Sequence, residues 1–160
     1  MSLESVRAFF TAHAPDLHII ELITSTATVA LAAHAHGVEP GQIAKTLAFR
    51  VGERNVLLVA RGDARIDNKK IKQALGAKAK MLDADTVVAL TSHPVGGVCP
   101  FGLATDLQVY CDISLQGFDE VMPAAGATHT AVRISPSRMA ELVKAEWVDV
   151  CQAIETADAI

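Results

Sequence analysis

The chain has 160 residues, of which 51% are apolar and only 4% aromatic, and its formal net charge is −4. This length suits one domain with its own core, so we predict a single domain over residues 1–160, with a weakly ordered tail at 155–160. The few aromatic residues disfavour a site that stacks bases on aromatic rings. Residues 22–38 and 87–105 are uncharged, but polar residues, glycine and proline interrupt both, which excludes a membrane span. With no secretory signal at the start, we expect a cytoplasmic protein.

The cysteine and histidine patterns exclude the common metal sites. Cys99, Cys111 and Cys151 are odd in number and widely spaced, which is typical of reduced thiols and not of a disulfide framework or a zinc site. His34 and His36 are two residues apart and so do not share a helix face. We therefore expect neither a metal nor another cofactor.

The first half of the chain predicts two helices and three strands. Polar caps and glycine stops bound the helices, and runs of branched aliphatic residues mark the strands. In chain order these are a helix over 2–14, a strand over 17–23, a helix from Ser25 or Thr26 to Gly37, and a hairpin of strands 45–51 and 55–61.

The second half mixes helices and strands in the same way. Its elements are a helix over 68–75 capped by Asp67, a strand over 80–82, a helix capped by Asp83 or Asp85, a strand over 107–111, a strand pair over 120–123 and 128–134, a helix from Ser135 to Lys144, and a strand over 146–150. Because some strands follow as hairpins and others through helices, we predict a mixed α/β (α+β) fold. Its curved mixed sheet or open barrel is surrounded by helices.

Lys45 stands at the start of an apolar strand, where a charge is costly to remove from water. Its aliphatic stem can lie along the sheet while the ammonium reaches solvent. Alternatively, the ammonium offers three donors at a fixed place to a carbonyl, phosphate or carboxylate.

The uncharged loop Gly96-Gly97-Val98-Cys99-Pro100 favours the second interpretation of Lys45. Glycines permit backbone conformations that direct successive N–H groups to one point. Such donors stabilise the negatively charged oxygen that forms during ester hydrolysis. Cys99 is also a candidate nucleophile beside His93 or His129, but nothing in the sequence places a base next to it.

Three segments in this order resemble the YbaK/prolyl-tRNA synthetase-associated editing-domain family. Residues 37–47 resemble the segment with the functional lysine of that family. Residues 96–100 look like its GxxxP loop, and residues 65–77 look like its intervening lysine-bearing helix.

The resemblance implies a free-standing trans-editing enzyme that hydrolyses mischarged aminoacyl-tRNA, typically a tRNA for proline carrying a small amino acid. It implies a metal-free mechanism in which the terminal ribose hydroxyl helps to activate water and the loop amides stabilise the oxyanion. Lys45 then positions the substrate. Thr26, Thr28 and His129 correspond to positions near it.

A basic stretch gives the implied tRNA a place to bind. Residues 45–80 carry ten lysines and arginines against three acids, a balance of +7 that leaves −11 for the rest. The side chains that we predict to contact acceptor-stem phosphates are Arg61, Arg65, Lys69, Lys70 and Lys72. A solvated helix face that serves only solubility is an equally good explanation of these charges.

Two other functions remain open at this stage. The chain can be a non-catalytic relative that binds tRNA or a partner such as prolyl-tRNA synthetase. It can also be a cysteine-dependent hydrolase of small acyl esters, which we rank last.

Overall fold

A computed structural model describes residues 2–153, so the predicted tail at 155–160 lies outside the described residues. The five helices and eight strands of this part follow in chain order: α1 Ser2–His13, β1 Ile20–Glu21, α2 Val29–His36, β2 Ile43–Val51, β3 Arg54–Arg61, α3 Asn68–Leu75, β4 Ala79–Met81, α4 Ala84–Thr91, β5 Gln108–Asp112, β6 Met122–Pro123, β7 Thr130–Ala131, α5 Pro136–Val143 and β8 Glu146–Val148.

The main sheet is mixed and open, as predicted. Its strand order is β4-β2-β3-β5-β8, with β6 pairing with β2 in addition. The β2 contacts with β3 and β4 are antiparallel, whereas the β3–β5, β5–β8 and β2–β6 contacts are parallel. Within residues 2–153 these strands do not close into a barrel, and β1 and β7 form a separate antiparallel pair.

The two faces of the sheet are covered by different helices. On one face, Ala44 and Ala48 of β2 pack with Leu57 and Val59 of β3 in the largest apolar cluster, to which α1, α4 and α5 contribute. On the other face, Phe49 and Val51 pack in a second cluster together with Ile71 of α3. The sheet thus separates α3 from most of the other helices.

Helix caps account for the boundaries that the sequence predicts well. Asp67 accepts hydrogen bonds from the first turn of α3, and Gly76 ends that helix in the left-handed conformation. Asp83 is the cap of α4. The cap of α2 is Thr28 and not Ser25 or Thr26, because the Thr28 hydroxyl accepts the Leu31 N–H.

The predicted strand pair at 120–123 and 128–134 is formed only in part, because antiparallel bridges join the two segments while their strands pair with other partners. β6 pairs with β2, and β7 pairs with β1. Only isolated bridges, such as Val121 with Ile134, join the two segments directly. β6 thus adds to the long strand β2, whereas β7 pairs with β1, which is itself only two residues long. None of the helices in residues 2–153 combines the length and the hydropathy that a membrane span requires.

The ion pair between Asp16 and Arg138 predicts a specific acid sensitivity. The hydrogen bond from Arg138 lowers the pKa of Asp16 from 3.8 to about 2. Between these two values the unfolded chain binds more protons than the native chain, so the free energy of unfolding falls as the pH drops through this window. In Arg138→Ala the native pKa returns towards its ordinary value, and we expect a shallower fall between about pH 4 and pH 2. Urea unfolding across this pH range tests the prediction, with Arg138→Lys as the control. Parallel curves of unfolding free energy against pH for Arg138→Ala and the native protein contradict the prediction.

Candidate functional site

The edge of β2 that faces away from β3 is only partly paired. β4 covers Phe49–Val51 and β6 covers Ile43–Ala44, so four residues between them have no strand partner on this side. This gap marks the position of the site.

The hairpin register determines which residues face the gap. β2 and β3 are joined by a two-residue turn, and Val51 opposes Arg54 directly before it. Residues that flank such a turn exchange hydrogen bonds, so odd-numbered residues of β2 direct their N–H and C=O groups to β3 and even-numbered residues direct theirs to the other edge. The 3.0 Å hydrogen bond from Leu82 N to Ala48 O agrees with this alternation. The backbone polar groups of Thr46 therefore point into the gap.

A cavity of about 410 Å³ lies at the gap. Its walls are mostly apolar and come from both flanks of the gap, the start of α2, α4 and the glycine loop. The lining residues are Thr26, Ala27, Thr28, Val29, Ala32, Ile43–Ala48, Met81, Leu82, Ala84, Val87, Val95, Gly96, Val98, Met122, Ala124, Thr130 and Ala131.

Four threonines line this cavity, and three of them have hydrogen-bond partners. The hydroxyls of Thr26 and Thr130 donate to Thr128 O and Ala127 O, and that of Thr28 accepts from Leu31 N. Thr46 Oγ1 is buried and has no partner in the described part of the chain. A buried hydroxyl without a partner costs about 1–3 kcal/mol, so the cavity holds one unused hydrogen-bonding group.

The Lys45 ammonium is held by the protein itself. Its Nζ donates to Gly62 O at 3.3 Å and to Ala64 O at 2.5 Å. Burial lowers the pKa of Lys45, while the nearby Cys151 and Asp63 act in the opposite direction. An ammonium has three donors, so two carbonyls leave one N–H for a further acceptor. The structure does not show the Lys45 ammonium reaching into solvent, because the ammonium contacts backbone carbonyls.

The glycine loop fits its place only because two residues lack side chains. A Cβ on Gly96, whose φ is +90°, would lie 2.8 Å from Ala27 Cβ. A Cβ on Gly97 would lie 2.8 Å from backbone atoms of Ala127. Both contacts are shorter than real Cβ contacts, so the loop requires glycine at both positions.

The loop amides are used unequally. Gly97 N donates to Pro94 O at 2.8 Å, and Gly126 N donates to Gly97 O at 3.1 Å. Within residues 2–153, the N–H groups of Gly96 and Val98 donate to no protein acceptor, and both residues line the cavity. Two residues of the cavity lining, close together in sequence, thus have amide donors without a protein acceptor.

Cys99 and Pro100 lie behind this wall. Both are buried, and neither lines the cavity. Burial raises the pKa of Cys99 to about 12, and its Sγ lies 3.6 Å from His93 Nε2. A buried neutral thiol is a poor nucleophile, which disfavours the cysteine-dependent hydrolase.

His129 is placed outside the cavity lining. Its side chain is 41% exposed, and its Nε2 lies 3.8 Å from Glu21 Oε1. Its backbone carbonyl accepts a hydrogen bond from Leu22 N. A role for His129 at the substrate stays a prediction.

The predicted tRNA-binding residues lie apart from the glycine loop. α3 packs on the sheet face opposite the large cluster that contains Val98 and Cys99. Lys70 binds Asp149 at 3.1 Å, and Arg61 binds Asp63 at 2.6 Å and stacks on Phe118. In the described part of the chain, Arg65, Lys69 and Lys72 form no ion pair. These three residues remain available to an anionic partner.

The comparisons with known proteins agree with this geometry. A family model described as aminoacyl-tRNA editing domain matches residues 24–142. The uncharacterised protein YwhH of Bacillus subtilis is 47% identical over 95% of this chain and 98% of its own length. The proline–tRNA ligase of Desulfovibrio desulfuricans is 34% identical over 71% of this chain, which spans only 18% of the ligase.

A solved structure shares the fold over nearly the whole length. A candidate trans-editing enzyme for prolyl tRNA synthetase superposes with a TM-score of 0.88 at 31% identity, covering 95% of this chain and 98% of that one. The matched residues 24–142 contain Lys45, Thr46 and the glycine loop. The chain belongs to the aminoacyl-tRNA editing domain family.

Proposed function

We propose that this protein is a trans-editing deacylase that hydrolyses mischarged aminoacyl-tRNA. The proposed substrate is a tRNA for proline that carries a small amino acid, and the mechanism is metal-free and assisted by the substrate. The observation that carries the proposal is the cavity itself, whose mostly aliphatic lining includes Lys45 and the two loop residues with free amide donors.

The amides of Gly96 and Val98 suit the ester carbonyl oxygen. During hydrolysis this oxygen gains negative charge, and preorganised N–H donors stabilise that charge most strongly in a site that excludes water. The apolar lining supplies such an environment. The terminal ribose hydroxyl of the tRNA helps to activate the attacking water, so no protein nucleophile is required.

Lys45 positions the substrate and does not abstract a proton. Its pKa is lowered by burial, but two carbonyls accept from the ammonium and favour the charged form. The remaining N–H donates to an oxygen of the terminal nucleotide or of the ester. Thr46 belongs to the same lining and carries a buried hydroxyl that has no partner in residues 2–153.

The aliphatic walls suit a small side chain, but they discriminate weakly among such side chains. One methylene in an apolar pocket is worth about 1–3 kcal/mol. Cavity volume and loop shape therefore set the selectivity. The similarity to part of a proline–tRNA ligase supports prolyl-tRNA as the substrate and the ligase as a partner.

A panel of mischarged tRNAs tests the proposal. We expect at least one substrate to lose its amino acid faster than in buffer. Lys45→Ala removes a charge-assisted hydrogen bond, so we expect kcat/KM to fall roughly 10- to 100-fold. Arg50→Ala, an exposed change on the same strand, is the matched control and retains activity. If no tRNA in the panel is deacylated, the enzyme hypothesis fails and a tRNA- or synthetase-binding module replaces it.

Two loop variants separate the amide mechanism from the cysteine mechanism. Gly97→Ala places a Cβ against the Ala127 backbone, so the loop shifts and we expect kcat to fall about tenfold or more. Cys99→Ala removes only a buried thiol, so we expect kcat to change less than about threefold. Single-turnover deacylation measures both effects. An inactive Cys99→Ala beside an active Lys45→Ala would establish the cysteine-dependent hydrolase instead.

The salt dependence of tRNA binding tests the basic helix. The slope of log K against log salt is negative, and each phosphate contact that is lost reduces its magnitude by about 0.7–0.9. We expect the double variant Lys69→Ala/Lys72→Ala to bind tRNA more weakly and with a smaller slope. Lys144→Ala, a change on a different helix end, serves as the control. An unchanged slope in the double variant means that α3 is a solvated face with no tRNA contact.

A further inference from the structure

His93 is a fully buried polar side chain that the proposed mechanism does not use. It lies three residues before Gly96, the first residue of the loop that contains the free amides, and its exposure is 0%. Its Nε2 lies 2.7 Å from Phe101 O, and its Nδ1 lies 2.6 Å from the hydroxyl oxygen of Ser2. Both ring nitrogens are therefore hydrogen-bonded to protein groups, and the ring has no contact with solvent.

The partners of the ring assign its tautomer. A carbonyl oxygen only accepts hydrogen bonds, so Nε2 carries the proton and donates to Phe101 O. Burial lowers the pKa of His93, against a smaller opposite effect of the Phe101 carbonyl, and this favours the neutral ring. Nδ1 is then an acceptor that faces the Ser2 hydroxyl, whose single proton is donated either to Nδ1 or to Gly126 O.

These contacts join three separate segments at the base of the loop. The bond between His93 and Phe101 closes the loop at its two ends. Ser2 connects the ring to the first turn of α1 and to Gly126. Gly126 in turn donates its N–H to Gly97 O at 3.1 Å, in the middle of the loop. The loop is thus held at its base and at its centre by one connected set of hydrogen bonds.

Aromatic packing supports the same end of the loop. The Phe101 ring lies 4.8 Å from the Phe10 ring and 6.0 Å from the Phe9 ring, both of which belong to α1. A Cβ on Gly102 would lie 2.6 Å from Ser5 O, so α1 approaches the end of the loop directly. α1 therefore fixes Phe101, and His93 is the polar link from Phe101 to the start of the loop.

We propose that His93 is a positioning residue that holds the Gly96 and Val98 amides in the orientation that receives the ester carbonyl oxygen. This inference rests on the proposed deacylase function for its kinetic consequence, because His93 touches neither the cavity nor the reacting atoms. Its structural consequence, the fixed orientation of the two amides, can be measured without a substrate.

Three variants and one control test this role. His93→Leu removes both hydrogen bonds of the ring. His93→Gln keeps an amide N–H that can donate to Phe101 O, and Ser2→Ala removes the partner of Nδ1. Met139→Ala is the control, since Met139 is a fully buried residue of α5 whose side chain takes no part in the hydrogen bonds at the base of the loop, and it loses stability through a cavity alone.

We expect His93→Leu to lower kcat about tenfold or more while KM changes less than about threefold, because transition-state stabilisation is lost and binding is not. His93→Gln restores most of the kcat. In NMR spectra, His93→Leu shifts the Gly96 and Val98 amide resonances and speeds the exchange of their hydrogens, whereas Met139→Ala leaves both unchanged at a temperature where it is folded.

Two results would overturn the inference. The first is a His93→Leu variant whose stability falls as in Met139→Ala while kcat and the two amide resonances stay as in the native protein. The second applies if His93→Leu does not fold, because His93→Gln and Ser2→Ala then decide. The inference is contradicted if Ser2→Ala keeps native-like amide resonances and His93→Gln is inactive. If the native protein deacylates no tRNA, the proposed function fails, and the amide resonances alone still decide the positioning role.

Discussion

The two-residue turn between β2 and β3 determines how the β2 residues of the candidate site are placed. Because the turn contains only Gly52 and Glu53, Val51 must oppose Arg54, and the pairing of all eight residue pairs follows. A shift of one residue would exchange the two faces of β2. Lys45 would then leave the carbonyls of Gly62 and Ala64, and Thr46 would leave the gap. The chemistry at one end of the strand thus depends on the turn at the other end.

The same register leaves a strand edge exposed inside the protein. An unpaired edge is normally a liability, because its N–H and C=O groups attract other strands. Here the flanking strands β4 and β6, the start of α2 and the glycine loop enclose it. Within residues 2–153, the hydroxyl of Thr46 and the two loop amides have no protein partner, and they belong to residues that line one cavity. Unsatisfied polar groups cost stability, so their concentration in one place is typical of a site that receives a polar ligand.

The sequence predicts the long elements and the loop, since their signals are local. Asp67, Gly76 and the β2–β3 hairpin have patterns that hold within a few residues. The partners of β6 and β7 are set by distant segments, so a two-residue strand carries no pattern that predicts them. The cap of α2 is Thr28, although Ser25 and Thr26 are equally good caps in sequence, because tertiary contacts use Thr26 elsewhere.

The residues of the candidate site also divide into those with a local signal in the sequence and those set by distant segments. Lys45 and Gly96 can be identified from residue type, and the structure lines one cavity with both. Thr46 was missed although it is the polar residue of an otherwise apolar run, because only the gap in the strand pairing gives its hydroxyl a role. The sequence identifies His93 only as a candidate base for Cys99, and the contacts of its ring could not be predicted, since its partners Ser2 and Phe101 are brought together only by the packing of α1.

The unpaired part of β2 has a definite length, and that length sets the distance between the two flanking strands β6 and β4. Four residues separate the stretches covered by β6 and β4, which corresponds to about 13 Å at roughly 3.3 Å per residue. Extending either short strand by two residues would narrow the opening by about half without changing any side chain of the core. In proteins of this architecture, insertions and deletions at the ends of two short strands can therefore change the width of this open edge, while the packed interior stays the same.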